Sequence, residues 1–265
     1  MGFQETVFAQ LVASIDHHEF ERCVERYHGN YRSRSFSSWD QFLCLLFAQW
    51  AEKRSLRATI FALNHMPNKL YHMGIRGTVS KSTLADALNA RDYRIFEDFA
   101  KSLIPQALAL YQNDPIDPEV GHTVYAFDST TIDLCLSVFQ WADFRKTKAG
   151  IKLHTLLNLR GAIPVQIEIG NAKSNDAKGM AAIEAETGTI YLFDRAYLCF
   201  EELYRFEQAG AYFVTRSKSN TRVERRYSAP VDKSSDVQCD QTVILVSKKP
   251  GCLPKAVTPR KVQGP

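Results

Sequence analysis

Two aspartates, Asp128 and Asp194, each directly follow a run of four apolar residues with strong β propensity, Val124 to Phe127 and Ile190 to Phe193. A carboxylate at the carboxyl end of a buried strand lies where α/β sheets build their sites. If the two strands are neighbours, the carboxylates converge and repel each other unless a divalent cation neutralises them. Mg²⁺ suits such a pair because it takes few carboxylates and keeps water ligands. The pattern therefore predicts metal-dependent phosphodiester chemistry, in which two ions about 4 Å apart would act.

A plainer interpretation of the same residues stays open at this point. An aspartate after a strand commonly begins a turn or caps a helix, and Asp128 and Asp194 could each do so independently. His154, within an apolar stretch, is interpreted as a core or supporting imidazole.

Several other classes of protein are excluded by missing motifs. The chain has no glycine-rich phosphate loop, no serine nucleophile elbow and no H-E-x-x-H pair, which argues against P-loop hydrolysis and zinc proteolysis. The six cysteines include no C-x-x-C pair and are expected to be reduced thiols. No apolar run approaches the roughly 18 residues of a membrane span, and the first 13 residues lack a signal-peptide pattern, so we expect a cytoplasmic protein without a membrane partner.

The order of the expected elements favours an α/β fold. Residues 1–115 have helical periodicity, and a turn-rich stretch around Asn113 to Pro118 separates them from a part rich in β-formers. Three strands, expected to be antiparallel, come first in this part, and a helix, a strand, a second helix and a last strand follow. The predicted strands are Thr123–Phe127, Lys152–Leu159, Ile163–Ile169, Thr189–Phe193 and Tyr212–Thr215, with helices over Asn175–Glu186 and Phe200–Gln208.

The net charge of +4 is unevenly distributed. Residues 216–265 contain eleven Lys or Arg against four Asp or Glu, a balance of +7, whereas the first 215 residues carry −3. A basic segment on a neutral body points to a polyanion, with nucleic acid the leading candidate. A merely solvated basic face is the alternative.

Six segments together resemble DDE-type insertion-sequence transposases of the insertion-sequence-four group. The resemblance runs from about residue 5 to Ser247. It rests on Tyr31–Leu43, Lys69–Gly77, Val79–Asp86, Tyr125–Leu134, Lys152–Leu157 with Arg160 and Gly161, and Phe193–Tyr197.

This resemblance implies a ribonuclease H-like core over 120–247, preceded by a helical domain over 1–115 that is a candidate for DNA binding. It implies DNA strand cleavage and strand transfer dependent on Mg²⁺ or Mn²⁺, with terminal inverted repeats and target DNA as partners, homo-oligomers on DNA and association with the nucleoid. Asp128 and Asp194 would be the first two metal-binding carboxylates. The phosphate-contacting segment would contain Lys218, Arg222, Arg225 and Arg226.

The sequence departs from the family pattern in two places. Ala196 stands where the family usually has glycine, which would strain the turn if that position needs positive φ. The family's third carboxylate, a Glu within Tyr-x2-Arg-x3-Glu-x6-Lys, has no counterpart after Ser217, and Glu224 is the last Glu.

From this gap we expect a chain truncated at its carboxyl end, with an incomplete ribonuclease H-like mixed sheet, impaired catalysis and an irregular tail over 248–265. The alternative is a non-catalytic DNA-binding fragment that could inhibit the intact enzyme. A more distant one is a metal nuclease with another carboxylate.

Overall fold

The computed structural model describes residues 6–114, 121–134, 143–145, 148–171, 176–231, 238–246 and 262–263. The chain divides into two compact units, Met1–Gln106 and Ala107–Pro265. The predicted limits of 1–115 and 120–247 for the two domains stay predictions. Of the predicted tail over 248–265, only Val262–Gln263 fall within the described residues, and they form a short strand.

The first unit is built from helices, as expected. A 3-10 turn at Tyr71–Met73 follows the shortest helix directly. The last helix begins in this unit and ends in the second. The helices are α1 (Val7–Ala13), α2 (His17–Arg26), α3 (Ser38–Trp50), α4 (Leu56–Asn64), α5 (Pro67–Leu70), α6 (Lys81–Ala90) and α7 (Arg94–Tyr111).

The segment Tyr31–Leu43, which carries part of the family resemblance, has a structural role at the start of α3. The Ser37 hydroxyl accepts a hydrogen bond from the Asp40 backbone N–H, and the Asp40 carboxylate accepts one from the Ser37 N–H. This capping box satisfies two N–H groups that a helix start leaves unpaired. Leu43, fully buried, then enters the apolar core formed by α1 and α3 to α6.

The second unit contains a six-stranded mixed sheet and a separate three-stranded sheet. The larger sheet has the order β2-β3-β1-β5-β6, with β4 also paired to β3, and the smaller one has the order β7-β8-β9. Two helices complete the unit, α8 (Asp176–Ala181) and α9 (Phe200–Gln208). The strands are β1 (Val124–Leu134), β2 (Asp143–Arg145), β3 (Lys148–Asn158), β4 (Ile163–Asn171), β5 (Ile190–Phe193), β6 (Tyr212–Thr215), β7 (Val223–Ala229), β8 (Asp240–Leu245) and β9 (Val262–Gln263).

The strand directions follow the sequence prediction. β3 is antiparallel to both β1 and β4, whereas β5 is parallel to β1 and β6 is parallel to β5. The prediction of an α/β protein with amino-terminal helices and a mixed sheet with flanking helices is therefore confirmed. The order β4-β3-β1-β5-β6, with three antiparallel strands and two parallel additions, is consistent with a ribonuclease H-like core.

The two faces of the larger sheet differ in burial. Tyr191 and Phe193 of β5 pack with Leu203 and Phe206 of α9 in the main core of this unit. On the opposite face, Ile167 and Ile169 of β4 are 53% and 60% exposed and Val214 of β6 is 58% exposed. Side chains alternate between faces along a strand, and Asp128 pairs across β3 with Thr155, which pairs with Ile167. Asp128 therefore belongs to the open face.

Candidate functional site

Asp128 and Asp194 occupy adjacent positions on two neighbouring parallel strands. The last paired residues of β1 and β5 are Phe127 and Phe193, so the two aspartates directly follow one register pair. Paired positions on adjacent strands lie about 4.8 Å apart. Both side chains are exposed. The structure thus brings together the two carboxylates that the sequence singled out.

The setting of Asp128 differs from the expected strand end. β1 continues to Leu134, because β3 continues to pair with it as far as Ala149. Only the parallel pairing with β5 ends before Asp128, and this leaves the β5 side of the residue open. The Asp128 Oδ1 atom accepts a hydrogen bond of 2.7 Å from the backbone N–H of Ser129.

A cluster of buried rings underlies the two aspartates. The Phe127 ring lies 5.0 Å from the Tyr197 ring, 5.8 Å from the His154 ring and 6.1 Å from the Phe193 ring, centroid to centroid. Each of these four side chains is at most 5% exposed. Since interiors of this kind are close-packed, the backbone positions of Asp128 and Asp194 are firmly held.

The residues after Asp194 form a single 3-10 turn, Arg195–Tyr197. The Tyr197 N–H donates to the Asp194 carbonyl over 3.0 Å, and the ring of Tyr197 turns into the core. Ala196 is not among the described residues with positive φ. The turn therefore accommodates alanine without the backbone strain that a glycine-specific conformation would cause.

Arg216 extends the row of the two aspartates onto a third strand. Phe193 pairs with Thr215 on β6, so Arg216 follows this register pair just as Asp194 follows its own. The Arg216 Nη2 atom donates a hydrogen bond of 3.0 Å to Asp194 Oδ1. A hydrogen bond from the Arg195 backbone N–H, and then the Arg216 guanidinium, hold the pKa of Asp194 below its ordinary value. Sequence reasoning missed Arg216, although its position after the strand Tyr212–Thr215 was a usable signal.

The four basic residues predicted to contact phosphates lie in and beyond the turn after β6. Lys218 is half-buried, and its backbone N–H donates to the Thr221 hydroxyl over 3.0 Å. Arg222 precedes β7, and its carbonyl accepts from the Val246 N–H, which ties the turn to β8. Arg225 and Arg226 lie on β7, where the pairing with β8 shifts register between Arg225 and Tyr227. All three arginines are exposed, and Arg226 pairs with Glu224 at 3.6 Å.

Two exposed carboxylates at adjacent strand positions are a donor set that fits Mg²⁺ or Mn²⁺, since these ions accept few protein oxygens and retain water. Within the described ranges, no group of three or more His, Cys, Asp or Glu side chains gathers in a way that could hold a metal ion. No helix in the described part of the chain is long and apolar enough to cross a membrane.

Comparison with known families finds two matching profiles. Residues 119–255 match the transposase DDE domain, and residues 3–76 match a domain of unknown function, DUF4372. The first match covers more than half of the chain and includes Asp128, Asp194, Arg216 and the basic turn.

Two relatives are similar over part of the chain. "Putative transposase y4zB" of Sinorhizobium fredii is 33% identical over 131 residues, which are 48% of this chain and 36% of the relative. "Probable transposase for insertion sequence element IS5377" of Geobacillus stearothermophilus is 30% identical over 125 residues, 46% of this chain and 33% of the relative. The matched segment thus spans about a third of each relative's length.

Proposed function

Because the chain belongs to the transposase DDE domain family, we propose that it acts in DNA transposition, with double-stranded DNA as its partner and cleavage and strand transfer as its reaction. The DNA would be the terminal inverted repeats of the element and the target duplex. The observation that carries the proposal is the row formed by Asp128, Asp194 and Arg216 after three register-paired strand positions. Negative groups for a metal and a positive group for a phosphate lie side by side in this row.

Each member of the row has a proposed role. Asp128 and Asp194 would hold Mg²⁺ or Mn²⁺, which when bound activates an attacking water or hydroxyl and neutralises charge on the phosphate. Arg216 would orient the scissile phosphate, since a guanidinium binds two phosphate oxygens at once. Lys218 and Arg222 in the following turn, and Arg225 and Arg226 on β7, would hold the duplex backbone.

We expect cleavage by this chain to be slow. Among the described residues the proposed donor set contains two carboxylates, and Glu224 lies on β7 paired with Arg226. A metal held by two carboxylates is bound more weakly than one held by three. Assembly of further copies on the DNA, and association with the nucleoid in the cytoplasm, belong to the same proposal.

A second candidate function is DNA binding without cleavage, by which the chain would occupy the ends that an intact transposase needs. The ion pair between Arg216 and Asp194 favours it, because this pair already neutralises one of the two carboxylates. The two functions share the DNA contacts and differ only in the use of the aspartates.

The test is a nicking assay on supercoiled plasmid that carries the coding element with its flanking DNA, with and without Mg²⁺ or Mn²⁺. We expect slow metal-dependent nicking that is lost in Asp128→Asn and in Asp194→Asn. Glu201→Gln, which removes one exposed charge from α9, is the matched control and should nick normally. Binding without nicking in the unaltered protein would replace the first function by the second, and absence of DNA binding at any salt would exclude both.

A further inference from the structure

The first unit contains a long stretch without acidic residues. Residues 53–85 include six Lys or Arg and no Asp or Glu. All six basic side chains are exposed, and no ion pair involves any of them among the described residues. The six are Lys53, Arg54, Arg57, Lys69, Arg76 and Lys81.

On two other helices of the same unit, α2 and α7, the basic residues are neutralised. On α2, Arg22 pairs with Glu19 and Arg26 pairs with Asp98 of α7. On α7, Arg94 pairs with Asp92 and Lys101 pairs with Glu97. Every Lys and Arg of these two helices therefore has a carboxylate partner. Among the described residues of the unit, the exposed basic side chains without an ion pair are the six of 53–85 together with Arg32 and Arg34.

Buried residues fix the part of this stretch from Lys69 to Lys81. Leu70, Met73, Ile75 and Val79 are each at most 4% exposed and belong to one core cluster, whereas the basic residues between them face solvent. The cationic side chains are thus presented on a backbone that is already ordered, which lowers the entropy lost when a partner binds.

A reciprocal pair of hydrogen bonds fastens the end of this segment to α4. The Asn64 side-chain amide donates to the Val79 carbonyl over 3.0 Å, and the Val79 N–H donates to Asn64 Oδ1 over 3.3 Å. The start of α6, with exposed Lys81, therefore lies beside the end of α4.

In the same segment, an open pocket of about 330 Å³ is lined by Tyr71, Gly74, Ile75 and Arg76. Tyr71 is 80% exposed, so its ring is accessible to a partner. A basic segment with an exposed aromatic ring and no acidic residue in its sequence matches the chemistry of a nucleic-acid backbone, which carries a phosphate at every sugar.

We propose that Lys69, Arg76 and Lys81, on the segment from α5 to the start of α6, form a docking surface for the sugar-phosphate backbone of double-stranded DNA. This inference rests on the proposed function for its choice of polyanion, but uses residues of the other unit. On this proposal, the segments Lys69–Gly77 and Val79–Asp86 bind DNA and take no part in its cleavage. Contacts to phosphates carry little sequence information, so the surface supplies affinity and position rather than choice of site.

The experiment measures binding of the full chain to a labelled duplex of about 30 base pairs of random sequence, by fluorescence anisotropy over a range of salt concentrations. Arg76→Ala/Lys81→Ala is compared with Arg22→Ala/Lys101→Ala, which removes the same charge from ion pairs on α2 and α7. Loss of two phosphate contacts should flatten the slope of log K against log salt by about 1.8 and weaken binding tens-fold at 0.1 M salt. The control double variant should bind as the unaltered protein does.

Two further measurements separate a loss of phosphate contacts from a loss of folded structure in the double variant. Arg76→Lys/Lys81→Arg keeps both charges and should retain the slope of log K against log salt. If the alanine variant had only lost its structure, this charge-preserving variant would be expected to bind poorly as well. Acetylation of lysines in the unaltered protein, read by mass spectrometry, should show that DNA protects Lys69 and Lys81 and leaves Lys101 reactive.

The inference is overturned if both double variants lose affinity equally, if neither does, or if DNA protects Lys101 and not Lys81. Binding to anionic lipid vesicles without binding to the duplex would also overturn it. If the unaltered protein nicks DNA and Arg76→Ala/Lys81→Ala binds the duplex normally, the docking surface is wrong and the proposed cleavage stands. If this double variant flattens the salt dependence of binding but the unaltered protein does not nick DNA, the docking surface stands and the proposed cleavage is wrong.

Discussion

The Arg216 guanidinium donates a hydrogen bond of 3.0 Å to the Asp194 carboxylate, at the edge where β5 and β6 end. Both side chains are largely exposed, so water screens the pair and its strength is small. The ion pair nevertheless gives Asp194 a cationic partner before a metal arrives. A divalent cation that uses Asp194 must compete with Arg216, and a DNA phosphate that attracts Arg216 would release the carboxylate.

Arg216→Ala should therefore strengthen binding of Mn²⁺ in the absence of DNA. The gain should be small, no more than a few-fold in affinity, because water screens an exposed pair. Isothermal titration calorimetry with Mn²⁺ measures this directly. Arg222→Ala removes a charge from the same turn without touching Asp194 and should leave the affinity unchanged. Weaker Mn²⁺ binding by Arg216→Ala would mean that the guanidinium does not compete for the carboxylate.

The buried rings beneath the two aspartates leave no room for a side chain at Gly179 of α8. A Cβ atom added to Gly179 would lie 2.7 Å from His154 Nδ1 and 2.8 Å from His154 Cγ, closer than packed atoms approach. His154 is 4% exposed and stacks on Phe127, so it cannot move aside freely. Gly179→Ala should lower the free energy of unfolding by about 1–3 kcal/mol, the usual cost of overpacking.

The cause can be isolated with a double-mutant cycle followed by urea unfolding. His154→Ala removes the ring that the new methyl group would strike, so Gly179→Ala should cost little in that background. The coupling between the two substitutions should reach about 0.5–3 kcal/mol. Strict additivity would show that the strain arises in the helix backbone and not from His154.

Five strands of the larger sheet were predictable from stretches rich in β-formers, whereas β2 and the three strands of the smaller sheet were not predicted. The setting of Asp128 was not predicted either. The apolar run stops at Phe127, yet β1 extends to Leu134, since the mostly polar residues that follow continue to pair with β3. The pattern of apolar and polar residues along a sequence indicates which residues are buried. It does not predict a stretch of strand that is held mainly by backbone hydrogen bonds. The pairing of Asp128 and Asp194 positions was foreseen only on the condition that β1 and β5 are neighbours.

Arg91 shows a second limit of sequence reasoning. It follows α6 and looks like a solvated basic residue at a helix end, but it is half-buried. Its guanidinium donates to the carbonyls of Gly29, Phe36 and Ser37 and to the side chain of Gln41. The stretch between α2 and α3 contains carbonyls without helical partners, and Arg91 satisfies several of them from more than 50 residues away. No local periodicity encodes a contact of that separation.

Arg91→Lys is accordingly expected to destabilise the first unit although it keeps the charge. An ammonium group cannot reach acceptors spread over the plane of a guanidinium, so at least two hydrogen bonds are lost, which can include the one to the carbonyl of buried Gly29. We expect the free energy of unfolding to fall by about 2–4 kcal/mol in urea. Arg22→Lys, at an exposed ion pair on α2, is the control and should change it by less than about 0.5 kcal/mol. Equal effects would argue against the specific role of the Arg91 fork.

A pH-dependent contribution to stability should arise where Asp98 of α7 meets α2. The Tyr27 hydroxyl donates to Asp98 Oδ2 over 2.8 Å, and Arg26 pairs with the same carboxylate. The hydrogen bond from Tyr27, followed by that from Arg26, lowers the pKa of Asp98 in the folded protein. A lowered pKa means that the folded state favours the charged form, so the stabilisation is complete above the unfolded pKa of about 3.9 and is lost as the pH falls through the folded value.

Asp98→Asn should therefore reduce the free energy of unfolding at pH 7 by up to about 1 kcal/mol, the range for solvent-screened pairs. The difference from the unaltered protein should shrink below about pH 4, where the unaltered carboxylate also becomes protonated. Urea unfolding between pH 7 and pH 3 measures it, with Glu25→Gln, an exposed change on α2, as the control. A difference that grows as the pH falls would have the wrong sign, and would mean that Asp98 is protonated more readily when folded than when unfolded.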